Sequence, residues 1–155
     1  MMMKKMKWFG LLFLMGVLSL AFIACDDDDK ISFDKLPSQS QQFIDTYFRG
    51  VAVTKIEKRI GEPHYKVYLA NGFVVKFYRA GGWQEVDGGS TEIPELLLIE
   101  LLPETIPQYI NEQFPAAKII EISQHDFGYE VELNTVPETE VRFDHDGKVI
   151  INIID

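Results

Sequence analysis

One segment of the chain is written twice, and a copied unit constrains the fold more than any single motif. Leu36-Pro37, followed by an amphipathic stretch through Phe43, Ile44 and Phe48, returns 66 residues later as Leu102-Pro103 with Tyr109, Ile110 and Phe114. Tyr65-Lys66-Val67-Tyr68-Leu69 recurs as Tyr129-Glu130-Val131-Glu132-Leu133. Val75-Lys76-Phe77 with Gly81 recurs as Val141-Arg142-Phe143 with Gly147. A tandem unit of this size rarely buries its own apolar face and closes its core against its neighbour.

Each copy opens with a short helix. Phe43, Ile44, Tyr47 and Phe48 share one helical face, while Gln39, Gln41, Gln42 and Asp45 share the other. Pro37 suits a first turn, and Pro107 is tolerable only if the second helix starts near Thr105. Between the copies, Leu96-Leu97-Leu98-Ile99 predicts a short buried helix. The period then falls to two: strands are expected over 51–60, 65–69, 75–78 and 83–87, then 117–124, 129–134, 138–143 and 148–154. Asn71-Gly72 is a strong hairpin signal.

These elements define an α+β chain. Two tandem helix-plus-four-strand antiparallel repeats, 31–90 and 91–155, form one sheet of about eight strands in one compact domain, with helices on one face. The other face stays open. Lys66, Tyr68, Lys76 and Tyr78 are expected there from the first copy, and Glu130, Glu132, Glu140 and Arg142 from the second. Trp83 faces outward if Val86 faces inward, whereas Val149, Ile151 and Ile153 in the second copy suggest the reverse. Lys66, Tyr68, Lys76, Tyr78 and Trp83 are the candidate partner-binding residues, since tyrosine and tryptophan are enriched in interfaces.

The N-terminus gives an address. Lys4, Lys5 and Lys7 precede an apolar run from Trp8 to Ala24, which ends at the chain's single cysteine. That is the layout of a secretory signal. Phe22-Ile23-Ala24-Cys25 resembles a bacterial lipobox, with Phe22 replacing the usual leucine. Residues 1–24 therefore read as a lipoprotein signal and Cys25 as the lipid attachment site. A cleaved soluble protein and a retained membrane helix are the alternatives. Stable attachment needs more than one acyl chain or signal, and bacterial lipoproteins carry several chains on that cysteine. Asp26 to Asp29 and Lys30 read as a solvated acidic tether over 25–30. They also resemble the acidic tract that sends some lipoproteins to the cell surface. The expected location is the bacterial envelope, as an outer-membrane lipoprotein facing the periplasm or the surface.

Charge excludes one class of partner. Without residues 1–24 the chain carries 12 basic and 24 acidic side chains. Nucleic-acid binding needs clustered Lys and Arg to neutralise phosphates and is not expected. From Ile31 to Ser90 the net charge is +2; from Thr91 to Asp155 it is −11. This division either steers a basic partner to the second copy or simply solubilises the surface.

The residues then align with a known pattern. Leu-Pro, an amphipathic helix ending at Phe114-Pro115, the strand Tyr129 to Leu133 and the run Phe143-Asp144-His145-Asp146-Gly147 resemble the PepSY-like family, also described as β-lactamase-inhibitor-like. The first copy departs at Arg49-Gly50, in place of the proline, and at Arg79-Ala80-Gly81, in place of the acidic turn. The resemblance implies an exported protein without enzymatic activity. Its inhibitor comparison implies a sheet face that grips a partner protein or peptide of the envelope.

No sequence motif names a reaction. HExxH, GxSxG, a phosphate-cradling glycine loop and paired cysteines are all missing from the sequence. His64, His125 and His145 fall at or near turns, where convergence on a metal is not expected. Asp144-His145-Asp146-Gly147 has the flavour of a calcium loop without its later glutamate, and reads as a hairpin turn. No cofactor is expected. The alternative function is a cation-binding or structural envelope scaffold built on the acidic second copy.

Overall fold

The computed structural model describes residues 28–59 and 61–154, with side chains from 31–58 and 61–150. The signal segment 1–24 and Cys25 lie outside the described residues. Among the described residues, nine antiparallel strands form one sheet in strict chain order. They are β1 (Asp28–Lys30), β2 (Val53–Arg59), β3 (His64–Leu69), β4 (Val74–Tyr78), β5 (Trp83–Asp87), β6 (Ile119–His125), β7 (Gly128–Leu133), β8 (Thr139–Phe143) and β9 (Val149–Ile154). Helix α1 (Ser38–Tyr47) links β1 to β2, while α2 (Glu95–Leu101) and α3 (Thr105–Gln113) link β5 to β6.

Eight of these strands follow the sequence expectation. The ninth comes from the segment read as a tether, because Asp28, Asp29 and Lys30 pair with Arg59, Lys58 and Glu57. An edge strand needs only the unpaired backbone groups of its neighbour, so side-chain patterning gives no sign of it.

All the described helices pack on one face of the sheet. Ile56, Val67, Leu69, Val75, Phe77, Val86, Ile122, Val131, Leu133, Val141 and Phe143 join Phe43, Ile44, Leu97, Ile106 and Ile110 in one buried cluster that runs through both copies. Helices of ten and nine residues are marginal alone in water, so this packing stabilises them. Thr105 starts α3, which leaves Pro107 in the first turn as expected.

The expectation for Leu96 to Ile99 is half right. The helix forms and buries Leu97, but Leu96 and Ile99 are 53% and 65% exposed. One short helix can turn only one side to the core, and this one is apolar on more than that side.

The same device closes each copy. Gly81 and Gly147 end the hairpin turns between β4 and β5 and between β8 and β9, with φ of 106° and 77°. Each abuts the start of its copy's helix. A Cβ on Gly81 would meet Pro37 Cβ at 2.8 Å, and one on Gly147 would overlap Thr105 Oγ1. Ser40 Oγ donates to the Gly81 carbonyl at 3.0 Å, and Thr105 Oγ1 donates to the Gly147 carbonyl at 3.2 Å.

Candidate functional site

The sheet face opposite the helices is the candidate site, and four bulges decide which side chains reach it. Val53 pairs with Leu69 and Lys55 with Tyr68, leaving Thr54 as the extra residue. Ile119 pairs with Leu133 and Glu121 with Glu132, leaving Ile120. Lys76 pairs with Glu85 but Phe77 with Trp83, leaving Gln84. Arg142 pairs with Ile151 but Phe143 with Val149, leaving Ile150. A bulge shifts the alternation by one and re-aims every side chain beyond it.

Trp83 is the casualty of that shift. Strict alternation from Val86 would point it outward, but the bulge at Gln84 sets it beside Phe77, where it packs against the core. It is removed from the outer-face candidates.

The other four lie outward, and their polar atoms are engaged. Tyr68 Oη donates to Glu57 Oε2 at 2.9 Å, and the Lys55 and Lys66 ammonium groups lie 5.5 and 5.3 Å from its ring centre. Glu57 is 6% exposed and also pairs with Lys55. Lys76 Nζ donates to Glu85 Oε2 at 2.6 Å. Tyr78 Oη donates to the Gln124 carbonyl at 3.2 Å, and burial, with the Asp126 charge, raises its pKa.

From the last strand of the first copy across the second, the same face turns acidic. Asp87 lies opposite Glu121, Glu121 opposite Glu132, and Glu132 opposite Glu140, so four carboxylates cross four strands in one row. Like charges directly opposite repel. Burial, then the charges of Glu85, Asp87 and Glu132, push the Glu121 carboxyl up to about 8, against the pull of Lys76. Burial also raises Glu132 and Glu140. Arg142 relieves one end, donating to Glu130 at 2.8 Å and pairing with Glu140 at 2.7 Å.

Sequence reading placed Glu130, Glu132, Glu140 and Arg142 here but missed Glu85, Asp87 and Glu121. Among the described residues, these three are the one group of three or more His, Cys, Asp or Glu whose ligand atoms all lie within 4.8 Å of one another. The signal was available: Glu121 falls 66 residues after the outward Lys55.

The histidines serve locally. His64 lies 2.9 Å from Glu62, His125 contacts Ser123 Oγ at 2.9 Å and stacks on Phe127, and His145 Nε2 donates to the Asp126 carbonyl at 2.9 Å. Asp144 Oδ1 accepts from the backbone N–H groups of Asp146 and Lys148 at 3.0 and 2.9 Å, as an Asp-Gly hairpin turn requires.

A family model described as "Putative beta-lactamase-inhibitor-like, PepSY-like" matches residues 63–151. The chain belongs to the PepSY-like family. Solved relatives extend the likeness. A "putative calcium-regulated periplasmic protein" of Bacteroides thetaiotaomicron is 33% identical, with a TM-score of 0.71, covering 83% of this chain and 98% of its own. Two proteins of Bacteroides vulgatus, each described as a "putative periplasmic protein", are 29% and 28% identical, each with a TM-score of 0.70. They cover 83% and 81% of this chain, and each match spans 98% of the relative. No curated protein matches the chain. Among the described residues of this PepSY-like chain, no helix is long and apolar enough to cross a membrane.

Proposed function

We propose that this PepSY-like protein is a non-enzymatic, lipid-anchored protein of the bacterial envelope whose bare sheet face grips a partner protein or peptide. The observation that carries the reading is the face itself. Among the described residues no helix covers it, it spans both copies, and it presents Lys66, Tyr68, Lys76 and Tyr78 on one half and carboxylates on the other. A graded face of this kind fixes the orientation of a partner more than it raises affinity. Cys25 supplies the anchor, and the description of the relatives as periplasmic supports the compartment.

Photo-cross-linking in intact cells tests the docking role. A reactive residue at position 66 or 130 captures a defined partner, and one at Asp45 on the helix side does not. Capture from Asp45 alone would refute the reading. Labelled palmitate enters the protein and is lost in Cys25→Ser; unchanged labelling removes the anchor from the proposal.

A second reading has its own support. Glu85, Asp87 and Glu121 bring three carboxylates together, and calcium takes oxygen ligands of this kind. The Bacteroides thetaiotaomicron relative is described as calcium-regulated. In this reading a divalent cation displaces the proton of Glu121 and relieves the crowded row. Calorimetric titration with calcium decides it, since a flat trace at millimolar ion eliminates the site.

A further inference from the structure

On the helix side, remote from the open sheet face, α2, α3 and the start of β6 enclose a groove of about 620 Å³. Pockets that hold ligands fall in the range of roughly 300–1,000 Å³. Its floor is apolar, formed by Ile93, Leu98, Ile110 and Ile119. Ile99 stands on its edge, and Leu96, three residues earlier on α2, shares the same helical side. The first copy treats the equivalent place differently. Phe33 precedes its Leu36 by the same three residues as Ile99 precedes Leu102, and Phe33 packs against the core. An exposed apolar ledge beside a groove, rimmed by polar groups, is the usual signature of an interaction site.

The rim selects the occupant. Glu92, Glu95 and Glu104 surround the groove, and its single cation among the described residues, Lys118, is already paired with Glu92 at 3.2 Å. Glu104 accepts from Gln108 at 2.9 Å, and no ion pair engages Glu95 among the described residues. A second copy laid on this ledge would bring Glu95 and Glu100 against their own equivalents, so charge opposes self-association. We infer that the α2–α3 groove binds a protein segment that presents apolar side chains flanked by lysine or arginine.

The probe is a ten-residue synthetic peptide of leucine and lysine, titrated into the isotopically labelled protein by NMR. Its counterpart has glutamate in place of each lysine. Expected are amide shifts clustered at Ile93, Ile99, Gln108 and Ile119, saturable with the lysine peptide and missing with the glutamate one. Ile99→Asp and Glu95→Lys change exposed positions and each weaken binding at least tenfold. Four results overturn the inference. They are no binding at millimolar lysine peptide, equal binding of both peptides, shifts confined to the outer sheet face around Tyr68 and Glu132, and a concentration-dependent dimer that Ile99→Asp abolishes.

Discussion

In the first copy the outer row across β2, β3 and β4 reads Lys55, Tyr68 and Val74; the same row in the second copy reads Glu121, Glu132 and Glu140. Beneath both rows the interior is nearly identical. Phe43 meets Phe77 edge-on with ring centres 5.3 Å apart, and Tyr109 meets Phe143 edge-on at 5.7 Å. The bulges at Thr54 and Gln84 recur at Ile120 and Ile150. Close packing holds the interior of a duplicated unit to one solution, because a change of even one methylene is felt there. The exposed face carries no such constraint. Differences between the copies therefore concentrate where a partner or ion would be met.

The comparison breaks most readily in the core. Phe77→Ala and Phe143→Ala each remove a fully buried ring and should cost about 3–5 kcal/mol, with similar losses in both copies. Thermal unfolding should stay a single transition for either variant. A second transition would mean that the copies do not share one interior.

The hairpin glycines come next. Gly81→Ala and Gly147→Ala each force an L side chain into positive φ and into the start of a helix, at about 1–3 kcal/mol. Gly147→Ala should be the worse of the two, since Thr105, Pro103 and Ile106 all crowd its Cβ. Denaturant titration of the pair checks that order.

The acidic row sharpens the contrast through pH. The Glu121 carboxyl binds its proton more tightly in the folded protein than in the unfolded chain. Its contribution is complete below the ordinary value of 4.5 and is lost as pH rises towards about 8. Glu121→Gln should therefore raise the melting temperature at pH 9 and leave it nearly unchanged at pH 4. Equal shifts at both values would show that ionisation of Glu121 is not what strains the row.

The smallest effect is on the basic half. Tyr68→Phe and Tyr78→Phe each remove one hydrogen bond and should cost about 0.5–1.5 kcal/mol. If neither changes stability, the hydroxyls are free for a partner rather than committed to Glu57 and the Gln124 carbonyl.

Most of the architecture was legible, since alternation such as Tyr65-Lys66-Val67-Tyr68-Leu69 reports a half-buried strand directly. Trp83 was not, because a bulge inserts a residue without changing the local composition. The exposure of Leu96 and Ile99 was equally hidden, as a four-residue apolar run has no polar side to orient it. Glu85, Asp87 and Glu121 meet because β5 pairs with β6 across two intervening helices. That adjacency belongs to topology, and only the 66-residue offset could have pointed to it.

The strand β1 sets a distance. Its first residue, Asp28, follows Cys25 by three positions, and a fully extended chain gains at most about 3.6 Å per residue. A lipid on Cys25 would thus hold one border of the sheet within about 11 Å of the headgroups. With that lipid in place, a partner approaching the β1 border would meet the bilayer as well, because three residues make no long leash.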